Sequence, residues 1–575
     1  MFNYRSLYTL ISILLFFTSL RAQQVQFDRY DQEFFELDRL IKTKNFDCIH
    51  FCVSNIFNLN SIDSFFSKIS ISELSKDEIR LLETCYAKTD SPIIRENILR
   101  NYKENENSKL VFNLPSERKN KLFYKNKAVL FNVRNKDVKI NFNPILNLNF
   151  GRQIDNEAII FQNSRGLDVT GEIENKIQFR SLIIENQQGF LNFENERILQ
   201  TESILGQGSQ KPYQSSLNKK ITGYDFFYVK SYVKFNILKP VSFEFGHGNF
   251  FIGNGIRSLL LSNISHNYLY LTIDTKYKKF YLKNIYAELT ALKENYNYPG
   301  SRINYKYYSA HILSYILNKR LEISLFEATM YGNESTIKSK LFNPIILYNA
   351  INYGLNNKNN VMVGLSLGYK IKNDIFTYGQ LMLDDYDLEK SNHKSPFNKM
   401  GYQFGLNYYN IFKIKKLDLQ YEHNVVRPYS YSSTNELDVN NENTSSFTHL
   451  RQPLTHILGA NFKENILIFS YNLNRINFKL RSIYTLIGKD DLGNNFGSNI
   501  LESRKEKKLN NNYITQGNLN TIKSIGLEIS FLVTTNMYFD ISGILRSQEE
   551  NNIIINQSFY NICFRSNFNK VNFDY

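Results

Sequence analysis

A glycine-rich run at residues 246–255 carries the side chains best suited to hold a charged ligand. Four glycines, Asn249 and Asn254 stand in the stretch GHGNFFIGNG, which also contains His247 and is followed by Arg257. Such glycines indicate tight turns or bulges, where the backbone has a positive φ or approaches another segment closely. Because a guanidinium binds a carboxylate or phosphate bidentately, Arg257, His247 and Asn249 are candidates for contact with an anionic sugar.

An internal salt bridge is the alternative for Arg257, with Asp225 or Glu244 as its partner, and it is slightly favoured. The glycines alone are equally well explained by a structural turn that folds inwards. A phosphate-binding loop is excluded, because neither a Lys-Ser/Thr pair nor a helical pattern follows them.

A second polar cluster stands in the segment QPLTHILGANFKE, which lacks clean alternation. It contains Gln452, His456, Asn461 and Glu464, and Lys211 is a further candidate upstream. Amide and carboxylate groups of this kind match sugar hydroxyls, while the alternative is a loop anchored by its own side-chain hydrogen bonds. The acidic run 384–387 is more typical of a solvated loop than of a cation site.

The motifs of known catalytic sites are missing from the sequence. The eight histidines are scattered, and neither Gly-x-Ser-x-Gly nor His-Glu-x-x-His occurs. Paired carboxylates for glycoside cleavage can be judged only from geometry. The sequence therefore predicts a protein without catalytic activity, metal or cofactor.

Residues 128–575 alternate with a period of two, which predicts strands. One parity is apolar, and the other carries Ser, Gly, Asn, Lys, Gln and Glu. The clearest apolar runs are Val361, Val363, Leu365, Leu367 and Tyr369; Tyr402, Phe404, Leu406 and Tyr408; Ile476, Phe478, Leu480, Tyr484 and Leu486; and Ile525, Leu527, Ile529, Phe531 and Val533.

Three features favour a transmembrane antiparallel β-barrel over a soluble sandwich or propeller. The chain is predicted to be exported, its strands of about 9–12 residues suit a tilted bilayer crossing, and it ends in alternating aromatics at 571–575. With 39 Tyr, 45 Phe and no Trp, the aromatic girdles must be built from Tyr and Phe. At about 24 residues per strand and connection, we expect about 18 strands.

A signal peptide and a helical segment precede the predicted barrel. Residues 1–22 combine Arg5 with an apolar stretch from Leu7 to Leu20, which is typical of a secretory signal; an uncleaved anchor is the alternative. Residues 23–127 are predicted as a helical periplasmic segment and linker, with a capping box at Ser75 and Glu78.

The cysteines Cys48, Cys52 and Cys85 also lie in this segment. They allow a disulfide from Cys85 to one of the other two, with buried thiols an equally good interpretation.

Several segments resemble one family of outer-membrane proteins. They are FGHGNFFIGNGIRSLLLS (245–262), QPLTHILGANFKE (452–464), GYDF (223–226), LFNP (341–344) and RPYSY (427–431). Together they resemble the Bacteroidetes gliding motility protein RemB, which belongs with the Wzi-type capsule assembly proteins. The resemblance implies an outer-membrane barrel that attaches or organises exopolysaccharide or supports gliding. Some members would have Asp-Gly where this chain has Asn254-Gly255, which argues against a carboxylate role there.

The formal charge of 69 − 54 = +15 favours acidic partners such as uronate-bearing polysaccharide or lipid phosphates. The alternative explanation of this charge is the codon bias of an AT-rich genome, since Lys, Asn, Ile and Phe are all abundant. Predicted partners are outer-membrane lipid, surface polysaccharide and components of the gliding machinery, and nucleic acid is excluded. The predicted location is the outer membrane of a Gram-negative bacterium, and a diffusion porin is the alternative function.

Overall fold

A computed structural model describes part of the chain. The ranges are 26–29, 31–44, 56–68, 74–89, 91, 94–96, 128–154, 159–174, 176–207, 210–216, 218–238, 240–291, 304–332, 342, 344, 359–385, 394–432, 445–491, 494–502 and 511–569. The predicted signal peptide, Cys48, Cys52 and the terminal residues 571–575 lie outside them.

Eighteen antiparallel strands close into a single barrel, which confirms the predicted fold class. Each strand pairs with its neighbour in sequence, and the last pairs with the first from Phe559↔Gln153 to Ser566↔Leu146. The strands are β1 Val138–Gln153, β2 Ile159–Ile173, β3 Ile177–Gln188, β4 Thr222–Leu238, β5 Val241–Gly248, β6 Tyr268–Tyr277, β7 Phe280–Ala291, β8 Asn304–Asn318, β9 Leu321–Tyr331, β10 Asn360–Lys372, β11 Ile375–Asp385, β12 Lys399–Tyr408, β13 Leu417–Val426, β14 Phe462–Leu473, β15 Ile476–Lys489, β16 Asn518–Thr534, β17 Met537–Glu550 and β18 Ile553–Ser566.

The apolar parity of the strands forms the outer surface. Phe245 is 53% exposed, and Phe404 and Leu527 are exposed in the same way, whereas their neighbours in sequence point into the lumen. This arrangement suits a bilayer, because a closed sheet pairs its backbone groups while apolar side chains face lipid. The strands run from 8 to 17 residues, a wider spread than the predicted one.

The two ends of the barrel differ in the length of their connections. At one end the turns are short, as between Ile173 and Ile177 or between Tyr277 and Phe280, and the other end carries nearly all the long connections. Short turns mark the periplasmic end of such barrels. Helix α4 (Asn192–Thr201) belongs to a long connection at the opposite end.

Three helices precede the barrel and pack against its short-turn end. They are α1 (Gln32–Thr43), α2 (Leu59–Phe66) and α3 (Lys76–Thr89), and they share a buried core that includes Leu37, Phe65 and Leu82. Together with residues 26–29 and 31, these helices are called the helical unit. Helix α3 begins with the predicted capping box, since the Ser75 N–H donates to Glu78 Oε2 at 2.6 Å. Among the described helices, none is both long and apolar enough to cross a bilayer.

Candidate functional site

The connection between β5 and β6, residues 249–267, folds into the lumen; we call it the inner loop. Consecutive strands hold its backbone through inward-facing side chains. Gln380 of β11 accepts from the Leu259 N–H at 2.8 Å, and Gln403 of β12 donates to the Arg257 carbonyl at 2.9 Å. The sequence analysis missed these glutamines, although their place on the polar parity of the strands was a usable signal.

Glu422 of β13 is the centre of this attachment. Its carboxylate is fully buried and accepts from the backbone N–H groups of Ile256 (2.6 Å) and Arg257 (3.0 Å). The Tyr378 hydroxyl and the Asn424 amide donate to it as well, at 2.8 and 2.9 Å. A carboxylate with four donors fixes the loop geometry, because each donor would otherwise be buried without an acceptor.

Apolar residues fill the centre of the inner loop. Leu259, Leu260 and Leu261 are fully buried in one cluster with inward-facing Ala310 and Ala328 of β8 and β9. Gly364 of β10 makes room for them, since a Cβ there would lie 2.3 Å from Leu260 Cδ2. The distinctive sequence SLLLS therefore forms the apolar core of this half of the lumen.

Arg257 lies inside the lumen, 6% exposed, with its Nε 3.5 Å from Glu464 Oε1. Its ion-pair partner is therefore Glu464, which corrects the expectation of Asp225 or Glu244. Glu244 instead accepts from the Tyr270 hydroxyl at 2.7 Å. Asp225 lies on the outward parity of β4, opposite Lys211 of a short added strand, so neither residue reaches Arg257.

His456 and Glu464 form a fully buried pair beside Arg257. His456 Nδ1 accepts from the Leu458 N–H at 3.2 Å, so its proton resides on Nε2 and is donated to Glu464 Oε2 at 2.8 Å. Burial lowers the pKa of His456, which keeps the imidazole neutral. The two predicted clusters thus meet in one network that fastens the inner loop to residues 445–461, and we call these two segments the plug.

Gln452 joins three connections at the long-loop end. Its Oε1 accepts from the N–H groups of Gly206 and His266, both at 2.9 Å. Its Nε2 donates to the carbonyls of Ile204 (2.9 Å) and Gln207 (2.6 Å). The geometry matches the anchored-loop alternative, and direct sugar contact by these buried side chains stays a prediction.

Asn461 joins the plug to the wall formed by β15 and β16. Its side-chain amide donates to the carbonyls of Gly488 and Gln516, both at 2.8 Å, and accepts from the Thr515 N–H at 2.7 Å. Its φ of 62° lies in the left-handed region, which Asn adopts more readily than most residues.

We expect Asn461→Ala to weaken the contact between the plug and β15–β16 more than Asn461→Gly does. Both variants lose the three amide hydrogen bonds, but only Ala adds the left-handed penalty of roughly 1–2 kcal/mol. Hydrogen–deuterium exchange of the segment that contains Thr515 measures the effect. Equal protection in the wild type and both variants would contradict the assignment.

The remaining predicted residues are dispersed. Asn249 donates to the carbonyls of Asn263 (3.1 Å) and Ser265 (2.9 Å) and so closes the inner loop on itself. Asn254 approaches Gly368 of β10. His247 shares the outward parity of Phe245, and its Nδ1–H donates to the Val229 carbonyl at 3.1 Å. The sequence predicts that His247 points into the lumen or its mouth; it lies at the long-loop end of β5, where its ring is 5.7 Å from that of His266.

Half-buried His266 and buried His449 stack where the two segments of the plug meet. The rings of His266 and His449 lie 5.9 Å apart and nearly parallel. Burial and the neighbouring His247 lower the pKa of His266 to about 4, and burial lowers the pKa of His449 well below its ordinary value. His449 Nδ1 accepts from the Thr290 N–H at 3.0 Å, which requires the neutral ring.

Acid should therefore loosen the plug. The pKa values of His266, His449 and His456 in the folded plug lie below the unfolded value of about 6.5. As the pH falls, the histidines of a released plug therefore bind protons before those of the docked plug. The docked plug is fully stable above pH 6.5 and loses stability as the pH falls towards 4. In planar bilayers we expect a closed protein at pH 7.5 and channel openings at pH 4.5. His449→Gln should be less sensitive to acid, and identical traces at both pH values would contradict this prediction.

The helical unit reaches the same lumen from the short-turn end. Arg29 donates to the Gly255 carbonyl at 3.1 Å, and its guanidinium lies 3.8 Å from the centre of the Phe251 ring. Arg180 of β3 forms bidentate pairs with both Asp31 and Asp168, with hydrogen bonds of 2.9–3.0 Å. The inner loop and the helical unit thus meet inside the barrel.

A cavity of about 340 Å³ occupies the other side of the lumen. Its wall is formed by β15–β18 and β1–β4, its short-turn end by the helical unit and its opposite end by the start of α4. The wall mixes amides, arginines and aromatic rings. These residues were not singled out in the sequence, because inward-facing polar residues occur on every strand.

The described residues also include part of the acidic run and two buried cysteines. No group of three or more His, Cys, Asp or Glu side chains within them is placed to hold a metal ion. In the acidic run, Asp384 accepts from the Tyr431 N–H at 2.7 Å, which gives it a structural role. Cys85 and Cys563 are buried free thiols.

The sequence matches no protein-family model and none of the curated proteins. Among solved structures, the chain is similar to Wzi of Escherichia coli, a carbohydrate-binding β-barrel involved in group 1 capsule assembly, with 11% identity, a TM-score of 0.49 and coverage of 94% of this chain and 99% of that chain. It is also similar to OprD of Pseudomonas aeruginosa, with 9% identity and a TM-score of 0.41; the match covers 74% of this chain and 94% of that chain. The chain is likewise similar to OccAB2 of Acinetobacter baumannii, with 11% identity and a TM-score of 0.41; the match covers 74% of this chain and 97% of that chain.

Proposed function

We propose that this chain is an outer-membrane barrel that attaches or organises surface exopolysaccharide without catalysing a reaction. The supporting observation is the filled half of the lumen, where the plug and the helical unit meet through Arg29 and Gly255. General diffusion of solutes needs a water-filled path, whereas this half is packed with leucines and hydrogen-bonded polar groups.

The sequence segments that resemble the Wzi and RemB family supply most of the inner loop and part of the second plug segment. FGHGNFFIGNGIRSLLLS contributes the inner loop, and QPLTHILGANFKE supplies Gln452, His456 and Glu464. The distinctive residues of the chain therefore close the lumen rather than face lipid. On this ground the proposal includes the roles that the resemblance implies, capsule attachment and gliding, with polysaccharide and gliding components as partners.

A deletion strain of the host bacterium tests the proposal. We expect cell-bound polysaccharide to fall and released polysaccharide to rise at unchanged total synthesis, together with slower spreading over surfaces. Complementation with the wild-type chain should restore both properties. Unchanged retention and unchanged spreading would overturn the proposal.

A diffusion porin is the second candidate, and the cavity of about 340 Å³ is the observation that favours it. Liposome swelling with glucose-sized solutes separates the two functions. Polysaccharide attachment predicts no swelling above that of empty liposomes, whereas a porin predicts swelling that increases with the amount of protein.

A further inference from the structure

The outer face of the wall at β13–β16 becomes polar near the long-loop end. One row across these strands consists of His423, Asn465, Tyr484 and Lys523, each directly opposite the next. They share the outward parity of exposed Leu527 on β16. Outward residues within the hydrocarbon band of a barrel are apolar. A row of four polar residues on this face therefore marks the level at which the band ends.

The strand itself gives the depth of this level. After Lys523, the outward residues of β16 are apolar from Ile525 to Val533. At about 3.3 Å per residue and a tilt of about 40°, these positions cover roughly 20 Å along the membrane normal, close to the apolar band of about 25 Å. Lys523 consequently lies at the outer interface, where lipid headgroups begin.

A second lysine lies one row further out. Lys463 of β14 is opposite Leu486, and Leu486 is opposite Thr521 of β16. Lys463 and Lys523 are both exposed. Two strand spacings and one row separate them, so their Cα atoms are roughly 12 Å apart. Two ammonium groups at separate positions suit a headgroup that carries two phosphates.

A hydrogen-bonded cluster lies beside the lysines. Asn465 Oδ1 accepts from the Tyr421 hydroxyl and from His423 Nδ1–H, both at 2.9 Å. An amide whose oxygen is engaged in this way presents its NH₂ group, a donor, to a ligand, which suits the acceptor oxygens of a phosphate. Tyr484, which is 40% exposed, adds an amphipathic ring of the kind found at this interface. We call Lys463, Asn465, Tyr484 and Lys523 the outer patch.

We infer that the outer patch binds the phosphate-bearing headgroup of a glycolipid in the outer leaflet, with Lys463 and Lys523 on separate phosphates. Charge complementarity and the depth of the patch both favour a lipid, because the phosphates of membrane lipids lie at this level. Exposed Glu549 of β17, opposite Thr521, bounds the patch with a negative charge. The inference is independent of the proposed polysaccharide function, since the outer patch includes no residue of the plug or of the cavity.

Native mass spectrometry of the purified full chain in detergent tests the inference. The probes are bisphosphorylated lipid A and a neutral galactolipid, and we expect the former to bind at least tenfold more tightly. The double variant Lys463→Gln/Lys523→Gln should weaken lipid A binding at least tenfold. Lys220→Gln is the matched control, because Lys220 is exposed at the same end of the barrel but outside the outer patch. Glu549→Gln should tighten binding, since it removes the neighbouring negative charge.

Three results would overturn the inference. Equal lipid A binding by the wild type and the double variant would show that the lysines do not hold the headgroup. Equal binding of lipid A and the galactolipid would show that the phosphates are not recognised. Inorganic phosphate that displaces lipid A at equal concentration would reduce the outer patch to a site for small anions. None of these results bears on polysaccharide retention, which the deletion strain measures separately.

Discussion

Replacing Glu422 by Ala should release the inner loop and open the barrel. The variant removes the acceptor of the Ile256 and Arg257 backbone N–H groups, both of which lie inside the lumen. Each buried donor that loses its acceptor costs about 1–3 kcal/mol, so these two alone weaken docking of the loop by about 2–6 kcal/mol. The barrel should persist, because its eighteen strands are held by their own ladders.

Single-channel recording in planar bilayers measures this effect. We expect long-lived openings for Glu422→Ala and a closed wild type at pH 7.5. Glu550→Ala is the matched control, since Glu550 forms a partly exposed pair with Lys489 at 2.9 Å, and such pairs contribute about 0–1 kcal/mol. A Glu422→Ala protein that stays closed would show that the apolar core holds the loop without this carboxylate.

The sequence is sufficient to predict the barrel because period-two alternation is a local property of each strand. The lipid-facing parity at Leu480, Tyr484 and Leu527 is evident before any contact is known, and the structure exposes these side chains. The expected number of about 18 strands came from an average of about 24 residues per strand and connection, and the structure has eighteen because the differences in strand and connection length average out over the barrel.

The partners of the plug residues depend on long-range contacts that no local pattern encodes. Arg257 and Glu464 are more than two hundred positions apart, and their pairing depends on the closure of the barrel and on the path of the inner loop. Asp225 was named as a possible partner of Arg257, but its position on the outward parity of β4 excludes it. Parity, once counted from exposed Phe227, would have removed this candidate.

Arg180 forms a buried ion pair between the helical unit and the barrel, and Arg180→Met should release the unit. Arg180 is 6% exposed and holds the carboxylates of Asp31 and Asp168 together. Removing the cation leaves two carboxylates facing each other, and breaking a buried pair in this way costs about 3–5 kcal/mol. We therefore expect a detached helical unit on an intact barrel.

Hydrogen–deuterium exchange in α1 measures the release, and exchange there should rise at least tenfold in Arg180→Met. Arg165→Met is the matched control, because Arg165 forms an exposed pair with Glu185 across the same two strands at 3.5 Å. Adding Asp168→Asn to Arg180→Met should restore part of the protection, since it removes one of the two opposed charges. Equal exchange of α1 in the wild type and in Arg180→Met would contradict this prediction. It would show that other contacts, such as the pair of Arg39 with Asp418, hold the helical unit at the short-turn end of the cavity.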